Sequence, residues 1–202
     1  LESVMERHEI NLPKILTDYH ARELPDATML LRIDELQKLI SRMGEINLMS
    51  LPENLLKKLQ EQGHSAMILD GDEIRDIFKN NGFDKDSRIK HGKDVGKMAV
   101  YLQSQGIIPI VSLISPYAES RDYVRSISKD FLEVYVSTPL SVCEARDVKG
   151  LYKKVRSGEI KDFTGIHDSA PYEIPESPEL TINTEGLEID NCVNQILKLI
   201  KK

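Results

Sequence analysis
Asp70-Gly71-Asp72 and Arg75 bring two carboxylates and a guanidinium into one short stretch of the chain. They follow Met67, Ile68 and Leu69, an apolar run of the kind that forms a buried parallel strand. Gly71 permits a tight turn, so both acids fall just past a strand's carboxyl end, where open α/β sheets bind their ligands. Paired acids beside a fixed cation suit a charged, metal-bound substrate. A solvated strand-to-helix turn with Asp72 as N-cap of a helix over 73–79 accounts for the same residues. Both readings stay open on these residues alone.

Residues 147–178 are the second candidate. Lys149, Lys153, Lys154, Arg156 and Lys161 accumulate there with Gly150, Gly158 and Gly165, followed by Pro171, Pro175 and Pro178. In a chain of net charge −6, a basic segment punctuated by glycine suits a lid over an anionic ligand. A solvated basic helix with a Pro-rich loop is the alternative. The phosphate-loop signature Gly-x-x-x-x-Gly-Lys-Ser/Thr is absent from the sequence. Gly92-Lys93 and Gly96-Lys97 are followed by Asp94 and Met98, with no glycine at the required earlier position.

The elements that must carry these residues alternate between strand and helix. Ser50 and Glu53 read as the capping box of a helix over 51–62, with Pro52 at its start and Gly63 at its end. Val95, Met98, Ala99 and Leu102 mark a core-facing helix over 89–105, stopped by Gly106. Residues 107–113 are the most apolar run and a buried strand. Residues 118–128 read as a helix, 131–136 as a strand, 138–146 as a helix and 180–183 as a strand. A last amphipathic helix follows through Ile189, Val193, Ile196, Leu197 and Ile200. Glu45–Ser50 reads as one more strand. Residues 1–44 are helical in tone, with Asp34 and Gln37 as a capping box and Leu36, Leu39, Ile40 and Met43 as one apolar face. The expectation is an α/β domain with a parallel sheet over 45–202, preceded by a helical extension or linker over 1–44.

Composition narrows the function classes. The acidic balance argues against general nucleic-acid or anionic-membrane affinity. No apolar run is long enough to span a bilayer. Cys143 and Cys192 lack metal-ligand spacing and read as reduced, buried thiols of a cytoplasmic protein. His8 and His20 have no partner at ligand spacing and read as ordinary surface histidines. The first residue is Leu1 rather than Met, which fits a piece of a longer chain carrying another domain at its N-terminal side.

Further blocks then fall into a pattern: Leu69-Asp70-Gly71-Asp72 with Arg75, Gly82-Phe83, Asp86-Ser87-Arg88 and Val111 through Tyr117. Thr138-Pro139-Leu140, Cys143 through Asp147, Lys149-Gly150-Leu151-Tyr152-Lys153-Lys154, Phe163-Thr164-Gly165-Ile166, Asp168-Ser169 and Pro171-Tyr172-Glu173 continue it. Over roughly 51–200 the chain resembles the adenylylsulfate kinase family of P-loop kinases. The resemblance implies a three-layer P-loop-kinase-like domain with a mostly parallel sheet. It also implies transfer of the ATP γ-phosphoryl group to the 3′-hydroxyl of adenylyl sulfate, with Mg²⁺, in a homodimer acting on small nucleotides. Under it, Asp70 and Asp72 hold Mg²⁺ and take the hydroxyl proton, and Ser115 joins them in the catalytic site. Arg75, Phe83, Arg88, His91, Ile114, Lys149 and Phe163 contact the acceptor nucleotide. Arg146, Lys153 and Lys154 serve ATP, the lysines as part of the lid.

Two departures from the family pattern stand out. The Glu-Asn-Ile-Arg-Arg that follows the residue matching Arg88 is here Lys90-His91-Gly92-Lys93-Asp94. An anion for a cation beside a phosphosulfate costs on the order of 1–3 kcal/mol if desolvated. That brings in another phosphate-modified acceptor, such as cytidine diphosphoramidate. The second departure is the missing phosphate loop, expected between a strand ending near Ser50 and the helix beginning at Leu51. It leaves three readings: a kinase whose loop is not in this sequence, a loop-deleted nucleotide-binding pseudo-enzyme, or a different metal-dependent enzyme. Asp70→Asn is expected to lower kcat by at least about a hundredfold, the low end for losing a general base, while ATP binding stays within a few-fold. Steady-state kinetics with a nucleotide-binding titration check this, and a variant keeping half of normal kcat removes Asp70 from the chemistry.

Overall fold
The computed structural model describes residues 30–34, 51–78, 82–147 and 150–200. Five strands form one sheet: β1 (Leu30–Asp34), β2 (Ala66–Asp70), β3 (Ile108–Leu113), β4 (Phe131–Val136) and β5 (Leu180–Ile182). Their order is β2-β3-β1-β4-β5, and every pairing is parallel. The helices are α1 (Leu51–Glu61), α2 (Gly71–Ile77), α3 (Lys85–Ser104), α4 (Ala118–Ile127), α5 (Leu140–Arg146), α6 (Leu151–Arg156) and α7 (Ile189–Ile200).

β3 shows why helices cover both faces. All six of its residues are buried. Ile108 and Ile110 join Leu55 and Leu59 of α1 and Val193, Ile196 and Ile200 of α7 in one apolar cluster. Val111 and Leu113, of opposite parity, join Val95 and Ala99 of α3 and Val124 of α4 in the other. This alternation across a doubly covered strand gives the expected three-layer architecture.

The middle strand is the main revision of the sequence reading. Residues 30–34 pair with β3 on one side and β4 on the other, although they fall in the stretch expected to be a helical extension. Asp34, expected as a helix cap, is the last residue of that strand and pairs with Leu113 and Tyr135. A charged residue, Arg32, interrupts the apolar run and hides the strand from periodicity. The chain between the central strand and α1 is therefore residues 35–50. Ser50, the expected strand over 45–50, the apolar face from Leu36 to Met43, His8, His20 and Lys149 lie outside the described residues.

Helix ends follow local chemistry. α3 begins a turn earlier than expected because the Asp84 carboxylate accepts the Ser87 N–H at 2.9 Å. It ends at Gly106, whose φ of +75° only glycine adopts without cost. Both cysteines are buried and free.

α4 is tied to β4 by charge. The Arg121 guanidinium is 4% exposed and lies 3.1 Å from Glu133 Oε1. It also donates to the carbonyls of Ser115 and Glu173, each at 2.7 Å. Arg125 reaches the other Glu133 oxygen at 3.2 Å and pairs with Glu179, which accepts the Glu133 N–H at 2.7 Å. Glu133→Gln leaves Arg121 buried without its counter-charge, and the expected destabilisation is about 3–5 kcal/mol. Urea unfolding measures it. A loss below about 1 kcal/mol would show that the two carbonyls alone satisfy Arg121.

Candidate functional site
All strands point the same way, so their carboxyl ends share one edge. β2 and β3 bring Asp70, Ile114 and Ser115 to one flank of β1, while β4 and β5 bring Arg146 and Thr184 to the other. β1 itself ends between the two flanks.

Asp70 is 7% exposed and ends β2, paired with Ser112. Its Oδ1 accepts the Asp72 N–H at 2.8 Å and the Glu73 N–H at 3.4 Å. Asp70, not Asp72, is therefore the N-cap of α2. Asp72 is exposed in the first turn. Gly71 between them is pressed onto β3: a Cβ there would sit 2.5 Å from Leu113 Cβ and 3.4 Å from Ser112 O. Only glycine allows this approach.

Beside the two acids lies a stack of cations on one ring. Phe83 is 62% exposed. The Arg75 guanidinium stands 4.8 Å and that of Arg88 5.9 Å from its centroid. Arg75 donates to Gly82 O at 2.8 Å. Burial holds its guanidinium below the usual value; Asp72 pulls the other way and Arg88 adds to the lowering. Arg88 donates to the carbonyls of Phe83 and, at 3.0 Å, Asp162, and to the hydroxyl of Thr164. The start of α3 is thus bound to the middle of the basic segment. Phe163 in that segment packs edge-on against Tyr152 at 5.5 Å, and its N–H donates to His167 Nδ1 at 3.0 Å.

The expected acceptor residues Arg75, Phe83 and Arg88 therefore meet, and Arg88 brings in the segment that carries Phe163. Ile114 is half-buried at the exit of β3. Ser115, expected in the catalytic site, is 1% exposed, and its hydroxyl lies 3.2 Å from that of Ser120. His91 is buried too, with Nε2 2.9 Å from Gly71 O. On the other flank, Arg146 is exposed and reaches Thr184 only at 3.5 Å. Lys153 and Lys154 are exposed on α6, whose first N–H groups are held by Asp147 through Tyr152 at 3.0 Å and Lys153 at 2.8 Å. Thr164 and Arg121 escaped the sequence reading as positioned groups. Nothing near them in sequence marks partners that lie in other elements.

Among the described residues no three His, Cys, Asp or Glu side chains gather as a metal site. Asp70 and Asp72 can supply two carboxylates, which fits Mg²⁺ carried on nucleotide phosphates rather than an all-protein cage. No described helix is long and apolar enough to cross a membrane.

A family model described as adenylylsulphate kinase matches residues 47–183. An adenylyl-sulfate kinase of Gloeothece citriformis is 47% identical over 149 residues, covering 73% of this chain and 84% of its own length. One from Clostridium kluyveri is 42% identical over 153 residues, covering 75% and 76%. The solved structure of the Mycobacterium tuberculosis APS kinase in complex with AMPPNP and APS superposes with a TM-score of 0.76 at 33% identity. That likeness covers 88% of this chain and 99% of the other.

Burial lowers the His91 pKa, and the Arg75 guanidinium lowers it further. The Gly71 carbonyl, Asp72 and Asp94 oppose them. The folded protein therefore holds fewer protons at this site than the unfolded chain below the ordinary histidine value. Stability is fully present above about pH 6.5 and falls as pH drops toward the folded pKa. Thermal melts from pH 8 to 5 are expected to show a shallower acid-side decline for His91→Gln than for the wild type. Parallel curves would show that His91 titrates normally in the fold.

Proposed function
The chain belongs to the adenylylsulphate kinase family, and from that premise we propose that it transfers the γ-phosphoryl group of ATP to the 3′-hydroxyl of adenylyl sulfate. The observation that carries this reading is the Asp70 carboxylate, buried at a strand's carboxyl end and oriented by its own helix cap. Phosphoryl transfer asks the protein for positioning, a proton acceptor and charge neutralisation. Asp70 is the proton acceptor. Arg75 and Arg88 offer two cations for the phosphosulfate, and the exposed face of Phe83 between them offers a surface for the base. Ile114 and Phe163 line the same acceptor side, and Ser115 and His91 act from behind it. Arg146 with Lys153 and Lys154 serves ATP from the other flank, and Lys149 belongs with them in a lid over 147–178. Bound Mg²⁺ would neutralise phosphate charge, with Asp70 and Asp72 as its protein ligands. We extend the reading to a homodimer in the cytoplasm.

One observation favours a second reading. Residues 35–50, which join the central strand to α1, contain no Gly-x-x-x-x-Gly-Lys-Ser/Thr. That motif is the usual backbone cradle for the β- and γ-phosphates. Removing a single transition-state donor costs about 10²–10³ in rate. A chain without any substitute for the cradle would bind adenylyl sulfate and not turn over.

A coupled assay with ATP, Mg²⁺ and adenylyl sulfate, run beside calorimetric titration of each nucleotide, decides between them. The expected result is 3′-phosphoadenylyl sulfate formed in proportion to enzyme. Adenylyl sulfate binding without product would establish the non-catalytic binder. Absence of binding to either nucleotide would remove both readings.

A further inference from the structure
His91 occupies a place in α3 that surface chemistry does not explain. The ring is 3% exposed. Its Nε2 lies 2.9 Å from the Gly71 carbonyl, and a carbonyl only accepts. Nε2 therefore carries the hydrogen and Nδ1 the lone pair. Nδ1 is fully buried and has no hydrogen-bond partner among the described residues. The surrounding packing is tight: a Cβ at Gly92 would come within 3.1 Å of Ser120, and one at Gly96 within 2.2 Å of Val124. α4 thus lies close against this stretch of α3.

The bond reaches the one residue that joins the two acids. Gly71 is closed off on one side by Leu113 and Ser112 of β3, and its carbonyl is held by the imidazole. The two restraints come from different elements and meet on the same peptide. They fix the direction in which α2 starts, and hence the orientation of the Asp70 cap, whose Oδ1 holds the N–H groups of Asp72 and Glu73. Arg75, Asp72 and Asp94 are the charged groups that act on the ring.

We infer that His91 is a positioning residue for phosphoryl transfer: its Nε2–H pins the Gly71 carbonyl and so sets the angle at which Asp70 meets the acceptor hydroxyl. This role rests on the reading of Asp70 as proton acceptor. It differs from the direct acceptor contact expected from sequence, and the two separate kinetically. A pin acts on the reacting geometry and appears in kcat; a substrate contact appears in KM.

The test compares His91→Gln, which keeps an N–H donor at nearly the reach of Nε2, with His91→Leu, which fills the volume without one. Steady-state kinetics with ATP and adenylyl sulfate are expected to give a kcat for His91→Leu lower by roughly ten- to hundredfold, the scale of a small misplacement of a reacting group. KM should stay within about threefold, and His91→Gln should recover kcat to within about threefold of wild type. Amide exchange of Asp72 and Glu73 should be at least about tenfold faster in His91→Leu and unchanged in His91→Gln. A rise confined to KM, an unaltered kcat in His91→Leu, or equal losses in both variants overturns the inference. If the wild-type protein itself makes no product, the functional reading fails, and the exchange rates still decide the pin: equal rates in wild type and His91→Leu remove it. Imidazole ¹⁵N spectra of the wild type need no variant. They must show the Nε2–H tautomer, and the Nδ1–H tautomer is incompatible with the bond.

Discussion
A single carboxylate oxygen, Asp70 Oδ1, holds the first N–H groups of α2 while the same side chain faces the edge where the strands end. A cap is a low-entropy way to orient a reactive group, because the helix that it starts also fixes its rotamer. Everything around it follows from keeping that turn tight. Gly71 has no side chain because Leu113 leaves no room for one. Leu113 and Ser112 are there because β3 pairs with β2 in a register that puts Ser112 opposite Asp70. That register depends on a β3 buried on both faces, and so on the helices that cover it.

A second restraint system ties the basic segment to the sheet. Arg121 gathers the carbonyl after β3, the carbonyl of Glu173 and the carboxylate of Glu133 on β4. Glu173 itself accepts the Ala118 N–H at 2.6 Å and donates its own N–H to Pro116 O at 2.7 Å. The basic segment is thereby anchored at its far end next to Ser115, while Arg88 holds its middle at Asp162 and Thr164.

Periodicity made much of this legible. β2, β3, β4, α3 and α7 lie within a residue or a turn of where their apolar spacing places them, because each buries a continuous face. The β1 strand was hidden: it is short, contains Arg32 and pairs on both sides, so nothing alternates. The sequence reading put the cap of α2 at Asp72, two residues late, because either aspartate has N–H groups two and three residues ahead for its carboxylate to reach. Thr164 and Arg121 were invisible as partners because the groups they meet are far along the chain, 76 residues for Arg88 and Thr164 and 52 for Arg121 and Glu173. Burial of Ser115 and His91 was equally out of reach, since Gly92 and Gly96 act only through the helix brought against them.

The position of β1 in the sheet has a consequence for how the chain reaches its fold. It is the first described strand to leave the ribosome, yet its neighbours lie about eighty and about a hundred residues further on, as Leu31 pairs with Ile110 and Leu132. Until β3 has been synthesised its N–H and C=O groups have no ladder to join, and until β4 has, one of its edges stays open. β2 and β3 can pair earlier and wait with an open edge on β3. Completion of the sheet thus waits on long-range pairings on both sides of β1. Such a step is slow and leaves strand edges open to other chains while it is pending.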